Sequence, residues 1–420
     1  MSVHDVRSVR RRYHLLLALR WIPTGLLITV FVLLLRDRGL SLAEIGIGTA
    51  AQGIVMLFLE LPSGGLADAL GRKPVLVLAS GFSIMAITVL LVADSVLLLA
   101  VVSGLQGIFR ALDSGPLQAW FVDASLEADP DVDIERGLAS ADIVICSSIG
   151  FGALLGGVVA ATDGFFGIDT LVAPLVVNLA MQMVGLLALL KLMDEERPGR
   201  GWAAARRSIA DVPHVVTGAV RLIRASSLLT ALIIGELLWG FGILAFETLL
   251  PPRLAEVSGG VDEAARLLGP SITAAWVLSA LGAAAAPWLV RRFGSAAAGC
   301  ALRLGHGVTV VGMGLAGGPA GLIVAYLCTY WVHGATSPVH YGMVHRAVES
   351  SHRATVVSAN SLTSQVGGAV SGIVLGALAD ATSITTAMLV AAVVLAAAAP
   401  LYLVGRAGPT VEPVPQVTAD

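Results

Sequence analysis

Apolar residues along this chain are gathered into long blocks separated by short polar links. A helix needs about 20 apolar residues to cross the roughly 30 Å hydrocarbon core of a bilayer, and the blocks have that size. They fall at 14–36, 43–62, 74–93, 96–121, 138–161, 170–192, 228–250, 264–288, 296–316, 320–344, 354–378 and 384–405. The pattern predicts an all-α integral membrane protein with twelve transmembrane helices. Most links carry Gly, Pro, Asp or Ser, as turns between helices do. The link 193–227 is longer, holds Arg197, Arg200, Arg206, Arg207, Arg221 and Arg224, and divides the chain into six spans and six. The expected organisation is a six-helix bundle over 1–192, a central loop over 193–227, a second six-helix bundle over 228–405 and a tail over 406–420. In the loop, Ile209, Val212, Val215, Val216, Val220 and Ile223 recur near helical spacing among polar residues. That spacing predicts an amphipathic helix over 208–226, lying on the membrane surface.

Composition agrees with the block pattern. Of the 420 residues 56% are hydrophobic and 13% charged, against roughly 25% charged in a soluble domain. The net charge of -3 gives no case for nucleic acid. Cys146, Cys300 and Cys328 sit far apart inside apolar blocks, so no disulfide framework, metal site or cofactor is expected. Arg7, Arg10, Arg11 and Arg12 ahead of the first block resemble the start of a secretory signal. The block that follows outruns a signal core of about 7–15 residues and no small-residue cleavage site follows it, which predicts a retained span.

Sorting the basic residues by link gives an orientation. With the N-terminus inside, the outer face receives Arg36, Arg38, Arg253 and Arg266, while Arg20, Arg110 and Arg303 fall within spans; the remainder of the 26 lie inside. The positive-inside rule then places both termini in the cytoplasm; of the 26 basic residues only Lys73 and Lys191 are lysine, which suggests a GC-rich bacterial genome and so a bacterial cell membrane.

The two halves echo one another. A shift of 216 residues lays Ser148, Gly152 and Gly156 on Ser364, Gly368 and Gly372, and Gly71 corresponds to Gly294 in the equivalent link. Parallel six-helix repeats are a known construction of secondary transporters.

The most distinctive stretch is ELPSGGLADALGRKPVL, Glu60 to Leu76, between the second and third blocks. Asp68, Arg72 and Lys73 would each cost about 2.5–3.5 kcal/mol at the bilayer centre, so the stretch belongs at a membrane face. Its glycines and Pro74 permit a tight helix-to-helix turn. Gly64, Asp68, Gly71, Arg72 and Lys73 match the GxxxDxxGRK signature of the major facilitator superfamily, which the chain resembles over nearly its whole length. A degenerate second copy, WLVRRFGS from Trp288 to Ser295, lacks the acidic residue. Tyr13, Arg20 and the run Arg38 to Gly46 resemble the drug-exporter-like branch. The resemblance implies a conformational latch at Gly64, Asp68, Gly71, Arg72 and Lys73, to which Glu60 is added; topological anchoring by Arg72 and Lys73 is the plainer reading. GALLGG, Gly152 to Gly157, resembles the core of a motif associated with antiporters, with Ala153 where that motif has Pro. Gly152, Gly156 and Gly157, with Gly368 and Gly372, also suit close helix packing.

Charges within spans are rare and face a cavity or a partner. Arg110 and Asp113, three apart, share a helix face and read either as a mutually neutralising pair or as cavity groups. Glu236 falls mid-span with Trp239 three residues on and no cation near it in sequence. Arg20, and Tyr330 and His333 of the tenth span, complete the candidates for substrate binding or proton coupling. The reading that follows is a secondary active transporter exporting a small organic compound by proton antiport, with alternating access, acting as a monomer with protons and the lipid bilayer as its other partners. Proton-coupled uptake of a sugar, organic acid or other metabolite is the second reading, and a non-transporting sensor or scaffold a distant third. The GRK run lacks P-loop spacing, and neither HExxH nor GxSxG occurs, so the chain is not read as an enzyme.

Overall fold

The computed structural model describes residues 5–162, 167–195, 217–349 and 352–406. Within these, the surroundings of Gly64 and the side chain of Asp68, both named for the latch, fall outside what is described. Every regular element among the described residues is helical. The first half comprises α1 (Val6–Asp37), α2 (Leu42–Leu70), α3 (Arg72–Leu90), α4 (Val96–Asp113) with its continuation α5 (Pro116–Ala128), α6 (Ile134–Ala161) and α7 (Ala173–Leu192). A helical segment at 217–225, here α8, leads into the second half. That half comprises α9 (Ser227–Glu247) with α10 (Leu250–Ser258), α11 (Val261–Phe293), α12 (Ser295–Leu315), α13 (Pro319–Arg346), α14 (Arg353–Ala381), α15 (Ile384–Ala397) and a 3-10 segment, Ala399–Arg406. Most of the amphipathic helix expected over 208–226 lies outside the described residues.

Eleven of these segments are long and apolar enough to cross a membrane. The twelfth, α13, has spanning length but carries Thr329, Tyr330, His333, Thr336 and His340 along its course. Those polar groups face protein: Thr329, Thr336 and His340 are buried, and Tyr330 with them. A helix buried among its neighbours does not need the hydropathy that lipid contact demands.

The structure corrects two element boundaries. The fourth span is not one helix over 96–121: α4 ends at Asp113, Gly115 takes φ 98, and Pro116 opens α5. The polar stretch after the second span is not a loop. Helix α2 runs on through Pro62 to Leu70, and Gly71 alone separates it from α3. Gly71 adopts φ 94, a region that a side chain disfavours, and so turns the chain in one residue. Gly294, between α11 and α12, does the same at φ 78.

Other matched details join the halves as repeats. Ser41 and Glu44 form a capping box that starts α2, so this helix begins where its sequence says it should. Arg38 donates to the carbonyls of Leu90, Leu91 and Ala93 at the end of α3, each at 2.7 Å. Arg253 donates to Gly314 and Ala316 at the end of α12, at 3.1 and 2.9 Å. Arg38 and Arg253, two of the four arginines that the charge sorting assigns to the outer face, are therefore helix C-caps, favoured there by the helix dipole.

The halves meet along α2 against α14 and α6 against α11. Small residues make this possible. A methyl group on Gly46 would strike the Gly372 carbonyl, and one on Gly157 would strike Gly269. Thr273 donates to the Gly150 carbonyl at 2.8 Å, and Asp380 accepts from the amides of Leu42 and Ala43 at 3.1 and 2.7 Å. The Asp380 bonds and the two glycine contacts lie toward the end of the bundle remote from the N-terminus. Within the halves, Gly152 and Gly156 lie on α1 through Ile22 and Thr29, and Gly368 approaches Gly240 of α9.

Candidate functional site

Between the halves is a cavity of about 650 Å³. It extends from the level of Arg20 and Phe109 to that of Leu250 and Pro251. Its walls combine aromatic side chains, among them Phe31, Trp239, Trp276, Tyr326 and Tyr330, with the amides Gln52, Gln106, Asn178, Gln182 and Gln365. Tyr330 sits edge-on to both Tyr326 and Trp276, with ring centroids 4.8 and 5.9 Å apart. The mixture of rigid apolar surface and a few oriented polar groups is what a small-molecule site requires.

Arg110 and Asp113 are not each other's partners. Asp113, the last residue of α4, forms its ion pair with Arg20 of α1. Arg20 also reaches Ser80 at 3.4 Å and lies over the Phe109 ring at 5.7 Å. Arg110 instead points into the cavity, where its side chain is exposed although the residue lies inside the bundle. The carboxylates that act on it electrostatically are Glu247 and then Asp113. Glu247, near the remote end of α9, is likewise exposed into the cavity. It belongs with the site although sequence reasoning gave it no role.

Glu236 is not without a cation. It is 5% exposed, and its Oε2 lies 3.5 Å from Nη2 of Arg303 on α12 and 3.4 Å from Nε2 of His340 on α13. Arg303, itself 1% exposed, donates to the Tyr402 hydroxyl at 3.0 Å, and His340 meets that hydroxyl at 2.7 Å and Asn360 at 3.1 Å. A buried arginine requires such a partner set, since an unpaired charge there costs far more than the pair returns. The network borders a smaller cavity of about 180 Å³, shared with Trp239, Ser364 and Gln365, and the last three also line the large cavity. His333 does not line either cavity; it stacks behind Trp239 with centroids 5.6 Å apart. Next to it, His306 is buried with neither ring nitrogen hydrogen-bonded among the described residues. Arg303 and Tyr402 went unassigned at the sequence level, where Asn360 reads only as a group that could bond substrate or a neighbouring helix, because each contributes from a different element, with no spacing that links them.

The Glu60 to Leu76 stretch is tied to its own half. Arg72 pairs with Asp123 at 2.8 Å, and the carboxylate of Glu195 accepts from the backbone amides of Arg72 and Lys73, both at 2.8 Å. Glu195, just past α7, thereby caps the start of α3. Lys73 donates to the Leu190 carbonyl at 2.9 Å. Glu60, counted with this stretch, stands apart from these bonds, and its Oε2 is buried without a hydrogen-bond partner among the described residues. No group of three or more His, Cys, Asp or Glu residues able to hold a metal is found among the described residues.

Among solved structures the fold is widely shared. The nucleoside transporter NupG matches 96% of this chain and 100% of its own at a TM-score of 0.75, with 14% identity. A bacterial homologue of the human lysosomal transporter Spinster, in an inward-facing and unoccupied conformation, matches 94% of this chain and 96% of its own at 0.71, with 18% identity. A structure from work on substrate recognition in proton-dependent oligopeptide transporters matches 94% and 97% at 0.71, with 13% identity. No curated protein sequence matches. The sequence model of the Major Facilitator Superfamily matches residues 14–332, most of the chain. The fold, the repeat and this match lead to one conclusion: the chain is a multi-pass membrane protein that belongs to the Major Facilitator Superfamily.

Proposed function

We propose that this protein exports a small organic compound across a bacterial cytoplasmic membrane in exchange for protons, as a monomer with both termini in the cytoplasm. The observation that carries the reading is the cavity between the halves, together with an interface whose glycine contacts and Asp380 cap lie at the remote end. With the termini inside, the molecule is inward-facing, and alternating access follows from rocking residues 1–192 against 228–405 about the bound solute. Arg20, Arg110, Trp239 and Tyr330 serve the solute, Asp113 holds Arg20, and Glu236, with Arg303, His340 and the nearby His333, couples proton movement to the rocking. Gly64, Asp68, Gly71, Arg72 and Lys73 form a latch that engages the second half in the opposite state, and the glycines of α6 and α14 set the packing. Resemblance of the opening segments to the drug-exporter-like branch supports export.

The test uses inverted membrane vesicles with an imposed pH gradient and a panel of labelled amphipathic compounds. Accumulation that collapses with the gradient is expected; flux indifferent to the gradient rules out antiport. Ala153, standing where the antiporter-associated motif has Pro, favours a second reading, proton-coupled uptake of a metabolite. In that case a gradient of the same sign would empty the vesicles.

A further inference from the structure

The large cavity holds two opposite charges that the protein leaves unanswered. Arg110 is on α4 of the first half and Glu247 on α9 of the second, and both side chains are exposed into the cavity. Neither makes a hydrogen bond or an ion pair within 4.0 Å among the described residues, although each feels the other electrostatically. The other charges near the cavity are answered locally, Arg20 by Asp113 and Glu236 by Arg303 and His340. A purely cationic solute in this slot would face Arg110 uncompensated, and a purely anionic one would face Glu247. Leaving a charge desolvated and unpaired is heavily penalised, which is how a site rejects the wrong partner. The same cavity is walled by aromatic side chains, with Trp239, Trp276, Tyr326 and Tyr330 on the second-half side. The volume of about 650 Å³ suits a solute of drug or dipeptide size.

We infer that the cavity takes a zwitterionic solute with an aromatic body, its anionic group on Arg110 and its cationic group on Glu247. This rests on the transport reading only for its consequence: a solute bridging the two charges joins the two halves. Guanidinium suits the anionic end because it offers two parallel donors to a carboxylate.

The experiment measures binding by the full chain in lipid nanodiscs, using phenylalanyl-phenylalanine, its N-acetyl form and its C-terminal amide. Blocking either end should weaken binding by about tenfold to a hundredfold, the value of a hydrogen bond to a charged group. Arg110→Gln should erase the penalty for the amide while keeping that for the acetyl form, and Glu247→Gln should do the reverse. Equal binding of the three peptides, or no binding of the free peptide, overturns the inference on the unaltered protein, whatever the variants do. So do variants that lose transport yet keep both penalties, since Arg110 and Glu247 would then act only on each other. Flux in reconstituted vesicles separates the two readings. Gradient-driven flux of other compounds without peptide discrimination refutes the zwitterion site alone, and peptide discrimination without any flux refutes transport alone.

Discussion

Asp380, at the end of α14, accepts a hydrogen bond from the backbone amide of Ala43, the second residue of α2, at 2.7 Å, and so caps a helix in the other half of the molecule. An aspartate that caps its own helix stabilises one element; this one holds two halves together. Asp380→Asn removes the charge that the helix start favours, and Asp380→Ala removes the cap, worth about 0.5–2 kcal/mol. The balance between remote-closed and remote-open states should then move toward open by about two- to thirtyfold for Ala and less for Asn. Distances between spin labels on the remote ends of α2 and α14 would report the shift.

Gly46 and Gly372 permit what Asp380 secures. A side chain at Gly46 meets the Gly372 backbone, which cannot swing away as a flexible side chain would. Gly46→Leu should therefore bar closure at the remote end while leaving each half folded. Solute flux should fall to background, and a cysteine placed in the remote part of the cavity should become reactive to a membrane-impermeant thiol reagent applied from that side. Retained flux in this variant would mean that α2 and α14 do not need this contact.

The Arg20 and Asp113 pair lends itself to a double-mutant cycle. Its side chains are 10% and 21% exposed, so breaking it from one side should cost up to about 3–5 kcal/mol. Asp113→Asn is expected to lower the midpoint of thermal unfolding in detergent. Arg20→Gln combined with Asp113→Asn should recover most of the loss, because neither charge is then stranded. Equal losses in the single and double variants would show that the ion pair contributes little to stability.

Glu236→Gln keeps the shape of the buried network and removes its one carboxylate. If that carboxylate is the coupling group, flux driven by a pH gradient should drop by about tenfold or more, a loss in the range general for removing an acid–base group. Exchange of labelled for unlabelled solute at equal pH should persist. Loss of both activities would assign Glu236 to structure, as the partner that Arg303 cannot do without.

Most of the fold was legible because a bilayer demands about 20 apolar residues per helix, and eleven segments of the chain write that demand openly. Helix α13 was legible by length even though its histidines face protein. The junction at Gly71 was misread because Gly and Pro usually punctuate loops, whereas here Pro62, Gly64 and Gly65 sit inside a continuous helix and Gly71 alone makes the turn. The pairings were not legible. Asp113 lies three residues from Arg110, and local spacing favoured that pair, but α4 ends at Asp113 and α1 presents Arg20 across the gap. Glu236 looked unpaired because Arg303 and His340 come from two other helices. Side-chain partners between helices depend on rotation and depth, which no local pattern encodes.

The shift of 216 residues that relates the glycines of α6 and α14 also lays Arg20 on Glu236. Equivalent places in the repeat thus carry opposite charges, and each is answered inside its own half, by Asp113 and by Arg303. When the halves part, no fully buried ion pair among the described residues has to be pulled open in a low-dielectric interior; the one pair that crosses, Arg36 with Asp380 at 4.0 Å, is partly exposed. Among the described residues, what must be broken is the cap at Asp380 together with its 4.0 Å contact to Arg36, the bond from Thr273 to Gly150 and backbone contacts between glycines. Each such bond is worth about 0.5–1.5 kcal/mol net. One charge crossing a membrane potential of 100 mV releases about 2.3 kcal/mol. The molecule is built so that the friction of its own motion stays on the scale of a single ion's fall.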